Sequence, residues 1–209
     1  MKKILLFVTL ALFSSGCSQT DFSDINNNVN LSVVEHEPNY VKTLSTDIVQ
    51  TPSINNIYRF GKVTDKLYRG GLPTDSDLQA LKTFGIKTVI SFRGLGDPTE
   101  PAQVAQEKIV VEKLGMKFLN VQVPFDKSIS DPTIKTFFND VNSVKNQPLY
   151  VHCKGGRDRT GTMIALYRIK YNGYKPEQAI EEMKQYTFNP ADYPIFTKQI
   201  MSFSSAKIK

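Results

Sequence analysis

Short apolar runs alternate with longer amphipathic stretches after residue 53. The runs are rich in β-branched and aromatic residues, which predicts strands near residues 57–60, 66–69, 86–92, 116–123 and 149–152. The longer stretches begin at capping residues or proline, which predicts helices near residues 75–84, 98–114, 130–145, 160–172, 176–186 and around Phe196. Strands that alternate with helices of ten or more residues predict an α/β domain, with a central, largely parallel twisted sheet flanked by helices.

The first residues have the pattern of an export signal. Lys2 and Lys3 precede an apolar run at residues 4–13, which small residues and Cys17 follow. A charged start, an apolar stretch and small residues at its end are typical of a signal peptide, here residues 1–16. The apolar run is shorter than the roughly 20 residues that span a bilayer, so a permanent transmembrane helix is the weaker interpretation.

Residues 14–17 resemble the lipobox of bacterial lipoproteins, in which the cysteine becomes the lipidated first residue of the mature protein. The resemblance implies that Cys17 anchors an exported protein to a membrane, facing the periplasm or the cell exterior. The alternative is a soluble secreted protein cut near Gly16. Residues 17–53, rich in Asn, Ser, Thr and Asp, predict a flexible linker, and residues 54–209 predict one folded domain.

Composition narrows the class of protein and of ligand. Hydrophobic residues make up 40% of the chain and charged residues 22%, which is typical of a globular protein. The net charge of +6 suits an anionic ligand. It is weak evidence for nucleic acid, because the sequence has no stripe of Lys and Arg that would bind it. Two cysteines and two histidines argue against a disulfide scaffold and a Cys or His metal centre. We therefore expect no metal and no cofactor.

One stretch of ten residues, 152–161, carries the candidate chemistry, between a predicted strand and a predicted helix. Five residues between Cys153 and Arg159 let the backbone wrap into a cup whose N–H groups face inward, which suits a tetrahedral dianion. Gly155 and Gly156 permit the backbone conformations that such curvature needs. The helix N-terminus and the nearby cations favour the thiolate form of Cys153, and Arg159 offers a planar fork for two phosphate oxygens.

This stretch resembles the signature loop of the cysteine-dependent protein tyrosine and dual-specificity phosphatases. The resemblance covers about residues 55–190 and implies hydrolysis through a phosphocysteine intermediate, with Cys153 as the nucleophile and Arg159 as the phosphate ligand. It also implies that the Thr160 hydroxyl donates to the cysteine sulfur as it leaves. His152 and Gly161 are expected to support the loop. The loop residues expected to bind substrate are Lys154, Gly155, Gly156, Arg157 and Asp158.

The leaving oxygen needs a proton, so a carboxylic acid must approach it. The family supplies an Asp from a separate loop before the cysteine, and Asp126, 27 residues before Cys153, matches that place. Two alternatives stay open. Asp131 lies in the same region but is interpreted first as the N-cap of a helix. Asp158 lies inside the loop, where a bacterial branch of the family has an Asp that is thought to serve as the acid.

The substrate is less well defined by the sequence. A compact core of roughly 150 residues favours a shallow site that accepts phosphotyrosine, phosphoserine or phosphothreonine, or a small phosphorylated molecule. Lys154 and Arg157 also resemble the basic loops of phosphoinositide and inositol polyphosphate phosphatases, including phytases, or they point to solvent. Arg69 and Arg93 either line the pocket or form pairs at the surface. A non-catalytic phosphate-binding module is the remaining alternative, and the oligomeric state stays open.

Overall fold

The central sheet has five short strands, the middle ones parallel. In this computed structural model, residues 54–204 and residue 206 are described, so the predicted signal peptide, Cys17 and the linker lie outside the described part. The strands run in the spatial order β1-β2-β5-β3-β4; only the β1–β2 pair is antiparallel. Their bounds are β1 Gly61–Thr64, β2 Leu67–Gly70, β3 Thr88–Ser91, β4 Lys117–Asn120 and β5 Leu149–His152.

Six α-helices of the described part flank the sheet. They are α1 Asp75–Phe84, α2 Glu100–Lys113, α3 Asp131–Asn142, α4 Asp158–Tyr171, α5 Pro176–Gln185 and α6 Pro194–Met201. Single 3₁₀ turns cover Ile54–Asn56 and Val144–Asn146. The predicted α/β class with a largely parallel sheet is confirmed. None of the described helices is long and apolar enough to cross a membrane.

Local sequence explains where α1 begins and ends. The Thr74 hydroxyl accepts a bond from the backbone N–H of Asp77, whose carboxylate accepts the N–H of Thr74 in return. This reciprocal cap satisfies two N–H groups that the first turn leaves without partners. The helix ends at Gly85, whose φ of 102° suits a residue without a Cβ and lets its N–H reach the carbonyls of Leu81 and Lys82.

Helices bury both faces of the sheet. One apolar cluster joins β3 and β5 to helices α3 to α6, with Phe92, Phe137 and Phe196 at its centre. A second cluster joins the opposite face to α1 and α2 and contains Val89 and Tyr150. Every residue of β3 and β5 is buried, as expected for parallel strands covered on both sides. Burial on both faces explains why these strands are continuous apolar runs in the sequence.

The first predicted strand, residues 57–60, is wrong. These residues form a turn closed by a hydrogen bond of 3.0 Å from Phe60 N to Ile57 O, and the strand follows at Gly61–Thr64. Arg59 explains the error, because its φ of 53° lies in the left-handed region that an extended strand excludes. Other bounds differ by a few residues: α4 starts at Asp158 rather than at 160, and β4 ends at Asn120 rather than at 123.

Candidate active site

The carboxyl ends of three parallel strands, β2, β5 and β3, meet at one edge of the sheet, and the 153–159 loop leaves the central one. In open α/β sheets this edge is where ligands bind. Cys153 follows β5 directly and is 4% exposed. Because α4 begins at Asp158, Arg159 and Thr160 lie in its first turn, and the helix N-terminus is part of the loop.

The peptide groups of the loop point their carbonyl oxygens into the body of the protein, away from the cavity. The five consecutive carbonyls of residues 153–157 each accept a hydrogen bond of 2.7 to 3.0 Å. In order, the donors are His152 Nδ1, Leu72 N, Arg59 Nη1, Arg69 Nη2 and Gly161 N. A carbonyl and the next N–H of a planar trans peptide point in opposite directions. The loop N–H groups therefore face the cavity as a nest for an anion.

Of the two glycines in this loop, Gly155 and Gly156, one stands where the backbone requires a glycine. Gly156 has a φ of 67°, and a Cβ there would lie 2.5 Å from the carbonyl carbon and oxygen of Gly70. At Gly155 the nearest atom to such a Cβ is Arg59 Nη1, at 3.8 Å. The prediction that both glycines permit the curvature therefore holds at Gly156, while Gly155 has room for a side chain.

The Arg159 guanidinium is held in place by a buried carboxylate. Its Nη1 and Nη2 donate to Glu100 Oε2 and Oε1, at 3.0 and 2.8 Å. Glu100 is 1% exposed and also accepts the backbone N–H groups of Gly94 and Gly96, at 2.8 and 2.7 Å. This paired, parallel contact sets the plane of the guanidinium before any ligand arrives. Burial alone raises the pKa of Glu100, but the bonds from Arg159, Gly94 and Gly96 outweigh it and lower that pKa to about 2.

A cavity of about 340 Å³ opens above Cys153. Two aromatic side chains, Phe125 and Tyr193, stand at its wall, the first 41% exposed and the second half-buried. The complete lining is Gly96, Asp97, Glu100, Phe125, Cys153, Lys154, Gly155, Asp158, Arg159 and Tyr193. The structure therefore brings the predicted nucleophile and the predicted phosphate ligand to one cavity, with N–H groups directed into it.

Sequence comparison agrees with this geometry. The family described as "DSP-PTPase phosphatase fused to NAD+ Kinase" matches residues 30–199. The chain belongs to the dual-specificity and tyrosine phosphatase family. OCA1 of Debaryomyces hansenii is 31% identical over 164 residues, which are 75% of this chain and 81% of OCA1.

The dual specificity protein phosphatase TpbA of Pseudomonas aeruginosa is 29% identical over 142 residues. The match covers 68% of this chain but only 58% of TpbA. Among solved structures, the core catalytic domain of the PP-IP phosphatase SIW14 from S. cerevisiae has a TM-score of 0.60 at 19% identity. That match covers 71% of this chain and 87% of the SIW14 domain, and at this identity it shows a shared fold alone.

The three aspartates considered for the acid occupy different places. Asp126 is exposed in the segment between β4 and α3, next to Phe125 but outside the cavity lining. Asp158 lines the cavity and accepts a bond of 2.8 Å from Arg157 Nε. Asp131 is the first residue of α3, whose N-cap is Ser130, so the interpretation of Asp131 as the cap is wrong.

The residues next to Cys153 and Arg159 are packed beneath the cavity. The Thr160 hydroxyl is buried and has no hydrogen-bond partner among the described residues, the Cys153 sulfur included. Gly161 faces Met183, whose Cε would lie 3.0 Å from an added Cβ. His152 is fully buried behind Cys153. These positions suit the expected roles of Thr160 and of the supporting residues, which stay predictions.

The two extra cations of the loop lie beside acids. The Arg157 guanidinium bonds to Asp158 and lies 5.9 Å from the ring centroid of Tyr193. Lys154 is exposed at the cavity, where its charge helps to lower the pKa of Asp97 after the larger effect of hydrogen bonds from Thr99. The positive charge that the sequence suggested at this edge is thus largely balanced.

Arg69 and Arg93 are neither in the cavity lining nor at the surface. Arg69 is fully buried beneath the loop, stacks 3.9 Å from the ring centroid of Tyr186, and has its pKa lowered by burial to about 10. Arg93 is 1% exposed and contacts Gln103 and Glu100. Both interpretations of these arginines are corrected, because the side chains support the loop and Glu100 from behind.

Sequence reasoning missed two acids on α2, Glu100 and Glu107. Both are buried, and they lie seven residues apart, two turns along one face of the helix. In a helix with no apolar stripe the two acids look like surface residues, so no local signal identified them. Among the described residues no cluster of three or more His, Cys, Asp or Glu could hold a metal ion.

Glu100→Gln tests the ion pair through its pH dependence. The folded pKa of Glu100, about 2, is below the ordinary 4.5, so the pair stabilises the fold fully above that ordinary value. The stabilisation is lost as the pH falls from 4.5 toward 2. Urea unfolding at a series of pH values should show the variant less stable by on the order of 3 kcal/mol near neutral pH, with the gap closing in acid.

The matched control is Glu112→Gln, at an exposed position of the same helix. It should leave the pH dependence of unfolding as it is in the parent protein. A gap between parent and Glu100→Gln that stays constant across the acid range contradicts the account of this pair.

Proposed function

We propose that this chain hydrolyses phosphate monoesters through a covalent phosphocysteine intermediate. The observation that carries the proposal is the placement of Cys153 at a nest of inward N–H groups, beside an Arg159 already fixed by Glu100. A phosphate that enters the nest meets donors for its oxygens and a sulfur for its phosphorus. Transition-state charge on those oxygens is stabilised by dipoles that do not need to reorganise.

The first step transfers the phosphoryl group to the protein. The Cys153 thiolate attacks phosphorus, the S–P bond forms and the bond from phosphorus to the ester oxygen breaks. Arg159 and the loop N–H groups hold the three remaining oxygens. The departing oxygen takes a proton from a carboxylic acid. We assign this acid to Asp126, since it is exposed next to the cavity residue Phe125 and has no described partner that would occupy it.

The second step returns the protein to its starting state. Water attacks the phosphocysteine, its proton passes to the carboxylate that lost one in the first step, and the S–P bond breaks to release inorganic phosphate. The leaving sulfur needs stabilisation as a thiolate. We assign this role to the Thr160 hydroxyl, which is buried in the first turn of α4 and has no hydrogen-bond partner among the described residues. Both steps require that the phosphoryl group is positioned and that the charge on its oxygens is stabilised, and this chain's own groups do both.

For the substrate, we favour phosphorylated side chains of proteins over inositol polyphosphates. The name of TpbA describes a protein phosphatase and that of SIW14 a PP-IP phosphatase, so relatives alone leave both open. The balance of charge favours protein substrates: Arg157 is paired with Asp158, and Lys154 lies near Asp97. A ligand with several phosphates would meet two acids at the mouth of the cavity. The aromatic wall of Phe125 and Tyr193 suits a phosphorylated aromatic side chain.

Cys153→Ser tests the covalent mechanism. Phosphate release should fall by at least about a thousandfold, because a serine hydroxyl at this site lacks the thiolate's nucleophilicity, while binding of tungstate should persist. Release is measured with EDTA and reductant on a phosphotyrosine peptide, a phosphoserine peptide, a phosphoinositide and inositol hexakisphosphate. The peptides should be preferred.

Cys17→Ser is the matched control, because it makes the same substitution at the chain's other cysteine and should keep full turnover. Full release by Cys153→Ser contradicts the mechanism. Binding of tungstate with no release by the parent protein, from any substrate in the panel, favours the non-catalytic module. Preference for the inositol substrates overturns the substrate assignment alone.

Asp126→Asn tests the acid. Loss of the proton donor should lower turnover about a hundredfold for esters with poor leaving groups and much less for esters with good ones. The comparison variants are Asp158→Asn, in the cavity, and Asp131→Asn, in the first turn of α3. If the dependence on the leaving group follows Asp158 instead, the role belongs to that residue.

We also propose that residues 1–16 are a signal peptide, Cys17 a lipidated N-terminus and residues 17–53 a flexible tether for the domain 54–209. The sequence pattern around Cys17 supports this proposal. Mass spectrometry of the membrane fraction should find a mature chain that begins at a lipid-modified Cys17. Cys17→Ser should move the protein to the soluble fraction. An unmodified mature chain that is soluble in the parent form supports the secreted alternative instead.

A further inference from the structure

The imidazole of His152 lies between two hydrogen-bond acceptors. Its Nδ1 is 3.0 Å from the carbonyl oxygen of Cys153, and its Nε2 is 2.6 Å from Glu107 Oε1. The imidazole is fully buried, and the Glu107 carboxylate is buried as well. Apart from this contact, neither oxygen of Glu107 has a hydrogen-bond partner among the described residues. Among the described residues, the close ion-pair contact of Glu107 is with the histidine that precedes the nucleophile, and Glu107 also lines a small cavity with Arg93, Gln103 and Gln106.

The two contacts of the imidazole bear on where its protons lie. A carbonyl oxygen only accepts, so Nδ1 of His152 carries a hydrogen and donates it to Cys153. Nε2 lies 2.6 Å from a carboxylate oxygen of Glu107, although the ring N–H is not aligned on that oxygen as in a hydrogen bond. Two unprotonated acceptors at this distance repel each other, so the contact favours a proton on Nε2 as well. The carboxylate lies at the ring nitrogen that does not contact Cys153.

The helix that carries Glu107 also carries Glu100. The two acids lie two turns apart on one buried face, which Val104 and Val111 complete. Glu100 holds the Arg159 guanidinium, and Glu107 holds the imidazole next to Cys153. One rigid helix therefore contacts both ends of the 153–159 loop.

We propose that Glu107 is a positioning residue of the active site, acting through His152 on Cys153. It keeps a proton on each imidazole nitrogen of His152. Nδ1 then donates to the carbonyl of Cys153, the first carbonyl of the loop, and a positive charge stays beside the sulfur. The idea deepens the proposed function and rests on it for its catalytic meaning. Its structural content, the state of the Cys153 thiol, is measurable without turnover.

Other charged and titratable groups around Cys153 and His152 come from each neighbouring element. They are Arg69 from β2, Tyr150 from β5, Arg159 from α4 and Glu100 from α2. The Tyr150 ring stacks on the imidazole with 5.7 Å between centroids, and burial raises its pKa well above the ordinary value, so the phenol stays neutral. Arg159 is paired with Glu100, whereas Arg69 donates to the Gly156 carbonyl and leaves two of its nitrogens without a described partner. Arg93 from the segment after β3 and Asp75 from α1 line a cavity beside Glu107. Among these groups, Glu107 is the charged one in direct contact with the imidazole.

The test is a double-mutant cycle on thiol reactivity. In a Cys17→Ser background Cys153 is the chain's one thiol, and its alkylation by iodoacetamide is followed as a function of pH. Glu107→Gln keeps the shape but takes away the counter-charge, so the imidazole loses a proton and the thiolate loses a positive neighbour. Alkylation near neutral pH should slow about tenfold, and the midpoint of the pH profile should rise.

The cycle asks whether Glu107 acts through His152. In a His152→Asn background the same Glu107→Gln change should alter the alkylation rate by less than about twofold. Glu112→Gln, on the exposed side of α2, is the matched control and should react like the parent. An equal effect of Glu107→Gln in both backgrounds, or no effect in the parent, overturns the proposal. Phosphate release measured alongside shows whether the proposed function itself has failed, since alkylation does not depend on it.

A second measurement needs no Glu107 variant. Nitrogen NMR of the imidazoles in the intact protein, with His152→Asn used to assign the signal, should show His152 protonated on both nitrogens at neutral pH. A His152 that lacks a proton on either nitrogen overturns the proposal even if the Glu107 variants do not fold.

Discussion

Five carbonyls that face away from the cavity are the constraint on which this site depends. A loop whose N–H groups converge on one point repels itself until an anion arrives, so something else must hold it open. Here the carbonyl side is anchored by β2, by the turn before β1, by α4 and by His152. Gly156 allows the tightest approach, against the backbone of Gly70. The anion site is thus built before its ligand binds.

Buried charge supports that loop at unusual density. Arg69, Arg93, Glu100 and Arg159 are each less than a tenth exposed, and His152 and Glu107 lie beside them. Burying ions costs more than a buried apolar pair would, so stability alone does not explain them. Their contacts explain them better, since each holds the loop, Arg159 or another residue that does. The same helix, α2, reaches the loop at both Arg159 and His152.

The sequence was informative where the signal is local. The 152–161 stretch, its flanking strand and helix, and the α/β class follow from patterns within a few residues of one another. Residues 57–60 were wrongly predicted as a strand, because the amino-acid pattern does not show that Arg59 has a positive φ. Glu100 and Glu107 could not be identified from the sequence for a different reason. Their partners, Arg159 and His152, are 59 and 45 residues away, and acids on a helix are usually at the surface. The role of Asp126 stays a prediction.

The central claim is that a phosphoryl group passes through the Cys153 sulfur. Rapid quenching of the full-length protein in denaturant at mildly alkaline pH during turnover of a phosphotyrosine peptide, followed by peptide mass spectrometry at the same pH, tests it most directly. The account predicts one phosphoryl group on the peptide that contains Cys153, present during turnover and gone once substrate is exhausted. Turnover with that peptide unmodified at every quench time, or with the phosphoryl group on another residue, contradicts it.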